Sequence, residues 1–312
     1  MDISVVIPCY NKEAFLEETL ASVFAQTLPP REVIVVDDGS TDASVAVAER
    51  FLPDIRLLRQ DNAGESVARN RGIRTAKHPW VALLDADDVW EPEKLERQAE
   101  AFGESAGDAV CVYTDLYHLR SDERQEVEPQ PEHDKSPEFA VDMLVEWTVN
   151  PSTAVVRRDA ALQTPFPEDI RDSEDVVFFV CLRRLGPFLR VPEPLVGYRR
   201  GHAQQTRGIR HKYRSVKARY EWFASREDDY SADERDRIRR GLAEQLVAPH
   251  DAARWGTREI GLARACRKLY DEIRPNAAER PESFDSVLLP GWTYRLRDRI
   301  HRLVDGLAEG GA

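Results

Sequence analysis

The chain is short of the features that would place it in a membrane, in a disulfide scaffold or on nucleic acid. Its 312 residues contain no apolar run near the roughly 18 residues of a membrane span. Four cysteines, Cys9, Cys111, Cys181 and Cys266, are scattered without CxxC spacing. That pattern excludes a zinc ribbon and a disulfide framework, and fits a reduced, cytoplasmic setting. The N-terminus, MDISVVIPCY, enters a strand pattern directly, with no basic n-region and no cleavage site, so no secretory leader is expected. Basic residues are in deficit, giving a net charge of -12. The deficit is N-terminal: residues 1–200 hold 22 Lys and Arg against 38 Asp and Glu, whereas 201–312 hold 22 against 18. So acidic a half is no nucleic-acid surface, and a phosphorylated ligand there needs a cation in between.

What the sequence does have is alternation. ISVVI (3–7), EVIVV (32–36), IRLLR (55–59), WVALL (80–84) and AVCVY (109–113) are short, β-branched-rich strand patterns. Between them Phe15, Leu16, Thr19, Leu20, Val23 and Phe24 recur at helical spacing, with Asn11 as the expected N-cap. Further helices are predicted over 42–51 and 65–77, and another from about Pro92. Strands alternating with helices build a mostly parallel sheet flanked by helices, an α/β, Rossmann-like fold. The polar stretch 121–137 reads as a mobile loop or lid, or equally as a disordered insertion. Strands are predicted near 153–157 and 195–199, with a helix around 174–185. The organisation expected is an α/β domain over 1–205, with halves 1–115 and 116–205, followed by a helical extension over 206–312.

In open α/β sheets ligands gather at the carboxyl ends of the strands. Four strands here end in polar residues: Pro8-Cys9-Tyr10-Asn11, Asp37-Asp38-Gly39-Ser40, Asp61-Asn62-Ala63-Gly64 and Asp85-Ala86-Asp87-Asp88. Any one of them is explained by turn chemistry; four on one sheet edge point to a site. The last is the sharpest, because three carboxylates within four positions repel one another. Carboxylates two apart can share a hard cation that also takes phosphate oxygens. That pairing is the expected remedy for the repulsion.

VVIPCYN (5–11), VIVVDDGSTD (33–42), DNAGESVARNRGI (61–73), LLDADD (83–88) and SEDVVFF (173–179) resemble the family 2 glycosyltransferases with the GT-A fold. The resemblance covers about residues 1–200. It implies transfer of a sugar from a nucleotide diphosphate donor, most often a UDP-sugar, to an acceptor hydroxyl with inversion, using Mg²⁺ or Mn²⁺. It implies that Pro8, Tyr10, Asn11, Glu13, Asp38, Gly64 and Arg69 frame the nucleotide sugar, with Asp38 accepting from the base. Asp85 and Asp87 become the DxD pair, Asp87 the more direct metal ligand, with Ala86 between them. Asp175 matches the general base, and Arg199, Arg200 and His202 stand where relatives carry basic groups near the diphosphate.

Plainer readings stand beside these. Asp37 is expected only to cap its turn. Arg69 on its helix is open to reading as a surface ion-pair partner, Glu174-Asp175 as acids favoured at a helix N-terminus, and Tyr10 as a packing residue. Processive relatives carry QxxRW and membrane spans; Asp251-Ala252-Ala253-Arg254-Trp255 lacks the Gln, so a non-processive enzyme is expected. Rival readings are a DxD-type phosphatase, a sugar nucleotidyltransferase and a non-catalytic glycan- or nucleotide-binding relative. The first expects a Gly-Thr pair after the motif, where Asp88-Val89 stand. The second expects a G-x-G-T-R loop, where PCYNKE stands. Residues 291–307 form an amphipathic pattern with flanking arginines. Packing of that face on the catalytic domain or in a homodimer is preferred over contact with the inner face of a membrane near a lipid-linked acceptor.

Overall fold

The computed structural model of the protein describes residues 1–104, 107–120, 123–125, 139–146, 149–200, 208–257, 259–275 and 281–285. His202, residues 126–137 of the polar stretch and the 291–307 segment lie outside the described residues. The chain divides into two compact units, Met1–Gln204 and Gln205–Ala312. Among the described residues no helix is long and apolar enough to cross a membrane.

In the first unit β1 (Ile3–Cys9), α1 (Leu16–Phe24), β2 (Glu32–Asp37), α2 (Ser44–Glu49), β3 (Arg56–Arg59), α3 (Glu65–Thr75) and β4 (Trp80–Leu83) alternate. They are followed by β5 (Val89–Trp90), α4 (Lys94–Glu104), β6 (Cys111–Arg120), β7 (Glu123–Gln125), α5 (Phe139–Val145), β8 (Ala154–Arg157), α6 (Arg158–Gln163), α7 (Glu174–Arg183) and β9 (Phe188–Arg200). Among the described residues one sheet holds nine strands in the order β3-β2-β1-β4-β8-β6-β9-β5, with β7 paired to β6. The first four are parallel, and every residue of β1 is buried, as a strand covered on both faces requires. Beyond β4 the sheet is mixed: β8 is antiparallel to both β4 and β6, while β9 runs parallel to β6.

Several expectations shift. Helix α1 begins at Leu16 after Phe15, so Asn11 is not its N-cap. Asn11 instead adopts a left-handed backbone, φ 53°, which Asn tolerates better than most residues. Within the polar 121–137 stretch Glu123–Gln125 is strand, paired with His118–Arg120. Its side chains are exposed, so no apolar alternation advertised it. Strand β5 is two residues long and escapes any periodicity reading, yet it decides where the site lies. The chain leaves the sheet at β4, makes the Asp85–Asp88 turn, and re-enters beside β9 with Val89 opposite Gly197.

Helix α3 lies directly on β1. A Cβ on Gly72 would meet Val6 Cγ1 at 2.2 Å, so the contact requires glycine there. Arg69, three residues earlier, shares that face and is pressed toward the sheet, only 3% exposed. Gly39, at φ +76°, turns the chain after Asp38 where a Cβ would stand 2.8 Å from the Asn62 amide nitrogen.

The second unit is helical: α8 (Ile209–Ala224), α9 (Ala232–Glu244), α10 (Val247–Asp251), α11 (Ile260–Ile273) and α12 (Glu282–Asp285). A reciprocal capping box, Ser231 with Glu234, starts α9. The Asp251–Trp255 stretch runs into a π-helical turn here. Within it Arg254 donates to the Ser283 carbonyl at 2.9 Å and stacks on Trp255.

Candidate active site

The Asp85–Asp88 turn resolves its repulsion with the chain's own groups, a different one for each carboxylate. Asp85 accepts from Arg69 Nη2 at 2.7 Å. Asp87 is ion-paired to Lys12. Asp88, fully buried, accepts from the Arg199 amide at 3.0 Å and from Ser152 Oγ at 2.6 Å. Burial first, then Asp87 and Asp85, pushes its carboxyl well above the usual range. The expectation that a metal alone reconciles the three acids is therefore incomplete.

The turn is also tied down through its backbone. Ser152 Oγ accepts from the Asp85 amide at 3.0 Å, and Trp90 Nε1 donates to the Ser152 carbonyl at 2.8 Å. Thr19 Oγ1 donates to the carbonyls of Ala86 and Asp88 at 3.1 and 2.9 Å. Ala86 itself is buried in the apolar core. Arg199 donates through Nε to the Asp87 carbonyl at 3.1 Å and through Nη2 to Glu18 at 2.6 Å. Arg200 is exposed, with its guanidinium over the Tyr198 ring.

Arg69 is the centre of a second ring of acids. Beyond Asp85, its Nη2 lies 3.2 Å from Glu65 and its Nη1 lies 3.7 Å from Glu174. The helix-surface reading of Arg69 is corrected: it is buried because α3 seats on β1 through Gly72. Asn70, next to it, brackets Phe166, donating to its carbonyl at 2.8 Å and accepting from its amide at 2.9 Å. The Phe166 ring stacks on Phe178 of α7 with centroids 3.8 Å apart. That stack carries the N-terminus of α7, with Glu174 and Asp175, to the acidic cluster. Asp172 and Ser173, just before the helix, both have positive φ, 62° and 125°. Such backbone strain in non-glycine residues clusters at functional sites.

Electrostatics distinguish the two acids of α7. Burial, then Asp175, holds Glu174 above the usual carboxylate range against Arg69. Burial also raises Asp175, with Asp85 and Glu65 adding to it. Glu174 accepts from the Ser173 amide and leans on Arg69, whereas Asp175 Oδ1 accepts from the Val176 amide at 2.8 Å. Neighbours on a helix point about 100° apart, so the two face different surroundings.

The nucleotide-side candidates fall into two groups. Asn11 and Glu13 lace the β1–α1 loop to the β2–α2 loop. Asn11 Oδ1 accepts from the Thr41 amide at 2.8 Å, and Glu13 Oε2 from the Ala43 amide at 2.7 Å. Asp37 accepts from the Ser40 amide at 3.3 Å within its own turn. Asp38, buried, accepts from Gln60 Nε2 and from the amides of Ala63 and Gly64 at 2.7–2.9 Å. Three of a carboxylate's roughly four lone-pair positions are thus taken. Tyr10 is 40% exposed, and Pro8 is buried within β1 opposite Val36.

Sequence reasoning missed Lys12, Glu65, Ser152 and Tyr198, and gave Asp88, which it counted among the crowded acids, no role in the site. Glu65 was legible as the i, i+4 partner of Arg69, and Asp88 as the third acid of its turn. Lys12, Ser152 and Tyr198 carry no local signal. Burial, then Asp88 and Asp85, pushes the Tyr198 hydroxyl up to about 12.

Among the described residues no three His, Cys, Asp or Glu side chains form a ready-made metal cage. A hard divalent cation needs none when one or two carboxylates hold it together with phosphate oxygens. Asp85 and Asp87 offer hard oxygen donors of that kind. Among the described residues they stand with Glu65, Glu174 and Asp175 beside the cations Lys12 and Arg69, with Arg199 reaching the Asp87 carbonyl. Hard oxygen donors in a region short of positive charge fit Mg²⁺ or Mn²⁺.

The architecture is that of glycosyltransferases of known structure. The mannosyltransferase PcManGT from Pyrobaculum calidifontis, in complex with GDP-Man and Mn²⁺, aligns with a TM-score of 0.55 at 17% identity, covering 96% of this chain and 80% of that one. S. aureus TarS in complex with UDP-GlcNAc aligns with a TM-score of 0.56 at 18% identity, covering 88% and 90%. Residues 4–163 match the family model described as Glycosyl transferase family 2, and the chain belongs to that family. An uncharacterized glycosyltransferase of Nostoc sp. is 33% identical over 210 residues, 64% of this chain. The match spans 65% of that relative's length.

Proposed function

We propose that the protein is an inverting, metal-dependent glycosyltransferase. It moves a sugar from a nucleoside diphosphate sugar, a UDP-sugar first, to the hydroxyl of a glycan or lipid-linked acceptor, one residue at a time. The observation that carries this reading is the gathering of Asp85, Asp87, Glu65, Glu174 and Asp175 around Arg69 and Lys12 at the carboxyl edge of the sheet. A nucleotide-sugar role in polysaccharide or glycoconjugate assembly fits the family and the nucleotide-sugar complexes of its structural neighbours.

Asp85 and Asp87 would hold a divalent cation, which supplies charge neutralisation for the departing diphosphate. Asp38, Gly64 and the exposed Tyr10 ring are assigned to the base and ribose. Arg69 fixes Asp85 and cannot itself titrate. Asp175 takes the proton from the acceptor hydroxyl as that oxygen attacks the anomeric carbon. One feature favours it over Glu174: Glu174 is engaged by Arg69 at 3.7 Å, while burial makes both carboxylates stronger bases than an ordinary one.

The test is donor turnover. With Mn²⁺ and a panel of UDP-sugars, the protein should release UDP and no inorganic phosphate. Phosphate release from a simple phosphomonoester, with every nucleotide sugar left intact, would overturn the reading in favour of a phosphatase.

A further inference from the structure

Asp87 and Asp85 belong to one turn, yet their counter-ions differ in kind. Arg69 is locked. It is 3% exposed, touches Asp85, Glu65 and Glu174, and lies over the Phe166 ring at 5.3 Å. Lys12 is held at its backbone, where its amide donates to Ser44 Oγ at 2.7 Å, but its side chain reaches across 75 positions of sequence to Asp87. The Lys12 side chain is 24% exposed and that of Asp87 13%, so the pair lies at the open rim of the cluster. An ammonium on a four-carbon stem is a point charge that can change partners, which a buried, forked guanidinium cannot.

A divalent cation held by Asp85 and Asp87 competes with the Lys12 ammonium for the one Asp87 carboxylate. The same cation arrives with a diphosphate, which brings more negative charge than Asp87 gives up. Resting on the nucleotide-sugar reading above, we propose that Lys12 is an exchangeable counter-ion. It holds Asp87 while the donor site is empty, yields Asp87 to the cation, and then binds the diphosphate. The exchange makes cation and nucleotide cooperative, because each removes an obstacle to the other. Metal alone binds poorly, since it must break an ion pair and strand an ammonium. Nucleotide alone binds poorly, since Lys12 is engaged elsewhere.

The probes are Mn²⁺ alone, followed by electron paramagnetic resonance, and UDP titrated calorimetrically with and without saturating Mn²⁺. Lys12→Met keeps the stem and removes the charge, and Lys12→Gln is a second uncharged variant if the first folds poorly. Loss of the competing ion pair should tighten Mn²⁺ alone by about three- to tenfold. Loss of a charge-assisted contact should weaken UDP in the presence of Mn²⁺ by about tenfold or more. Lys12→Arg, which keeps the charge, should bind Mn²⁺ alone within about twofold of wild type on the same argument. Unchanged or weaker Mn²⁺ binding in both uncharged variants, or unchanged UDP binding with Mn²⁺, overturns the exchange while leaving the transferase reading intact. Wild-type protein whose UDP affinity is indifferent to Mn²⁺ overturns the metal-dependent reading and the exchange with it.

Discussion

Asn70 grips Phe166 on both sides of its Cα, donating to its carbonyl at 2.8 Å and accepting from its amide at 2.9 Å across 96 residues. The two residues join halves of the site that are remote in sequence. Asn70 is the neighbour of Arg69 on α3, and Phe166 stacks on Phe178 of α7, four residues after Glu174. Through this clamp the helix that carries Glu174 and Asp175 is held against the Asp85–Asp88 turn.

Asn70→Ala should therefore cost both stability and activity. Two buried polar groups of Phe166 lose their partners, at about 1–3 kcal/mol each before relaxation, so Tm should fall by roughly 5–10 °C. Donor binding involves the Asp85 side and should weaken less than kcat, which needs α7 in register. Differential scanning calorimetry with steady-state kinetics checks both. An unchanged melting temperature would mean that the clamp contributes nothing.

Asp175→Asn keeps the shape of the side chain and removes its basicity. The expected outcome is a kcat lower by ~10²–10⁴ with UDP and Mn²⁺ affinity near wild type. Asp87→Asn should show the opposite order, losing Mn²⁺-dependent UDP binding first. If Glu174→Gln is inactive while Asp175→Asn transfers sugar normally, the base is Glu174.

Ser152→Ala removes the hydroxyl that links the Asp88 carboxyl to the Asp85 amide. The Asp85 amide then lacks that partner and the buried Asp88 carboxyl is left with the Arg199 amide, at a stability cost of about 1–3 kcal/mol. Loosening the turn should also weaken UDP with Mn²⁺, although Ser152 is assigned no contact with the nucleotide. Calorimetric titration of the variant, beside a Ser152→Thr rescue, separates this positioning effect from misfolding.

The raised carboxyls of α7 predict a pH dependence with a definite sign. Burial holds the Asp175 pKa in the fold above its value in the unfolded chain. The native state therefore binds this proton more tightly, and its contribution to stability is greatest at low pH and is lost as pH rises through the folded pKa. Asp175→Asn should thus melt higher than wild type at neutral pH, with the advantage shrinking as pH falls below the folded pKa. In the same range kcat should decline on the acid side, with its limb above that of an ordinary aspartate. Melting curves of both proteins across pH, compared at matched ionic strength, check the sign. An advantage of Asp175→Asn that grows toward low pH would contradict it.

Much of the fold was legible because its signals are local. The apolar runs of β1, β2 and β4 and the helical periodicities of α1, α3 and α7 reflect burial that each segment needs wherever its partners come from. The polar strand ends, and the crowding of Asp85, Asp87 and Asp88, were equally local. What periodicity does not encode escaped: the two residues of β5, the exposed strand β7, and the antiparallel direction of β8, a strand expected near 153–157, which makes the sheet mixed beyond β4. The assignment of partners belonged entirely to tertiary structure. Arg69 meets Asp85 across 16 positions, Ser152 meets Asp88 across 64, Lys12 meets Asp87 across 75, and the Arg199 amide meets Asp88 across 111. The sequence determined that three carboxylates would crowd one strand end. Which groups neutralise each of them was decided by Gly72 seating α3 on β1 and by β5 carrying the turn to β9, because charge compensation acts over a few ångströms of space and takes no account of distance along the chain.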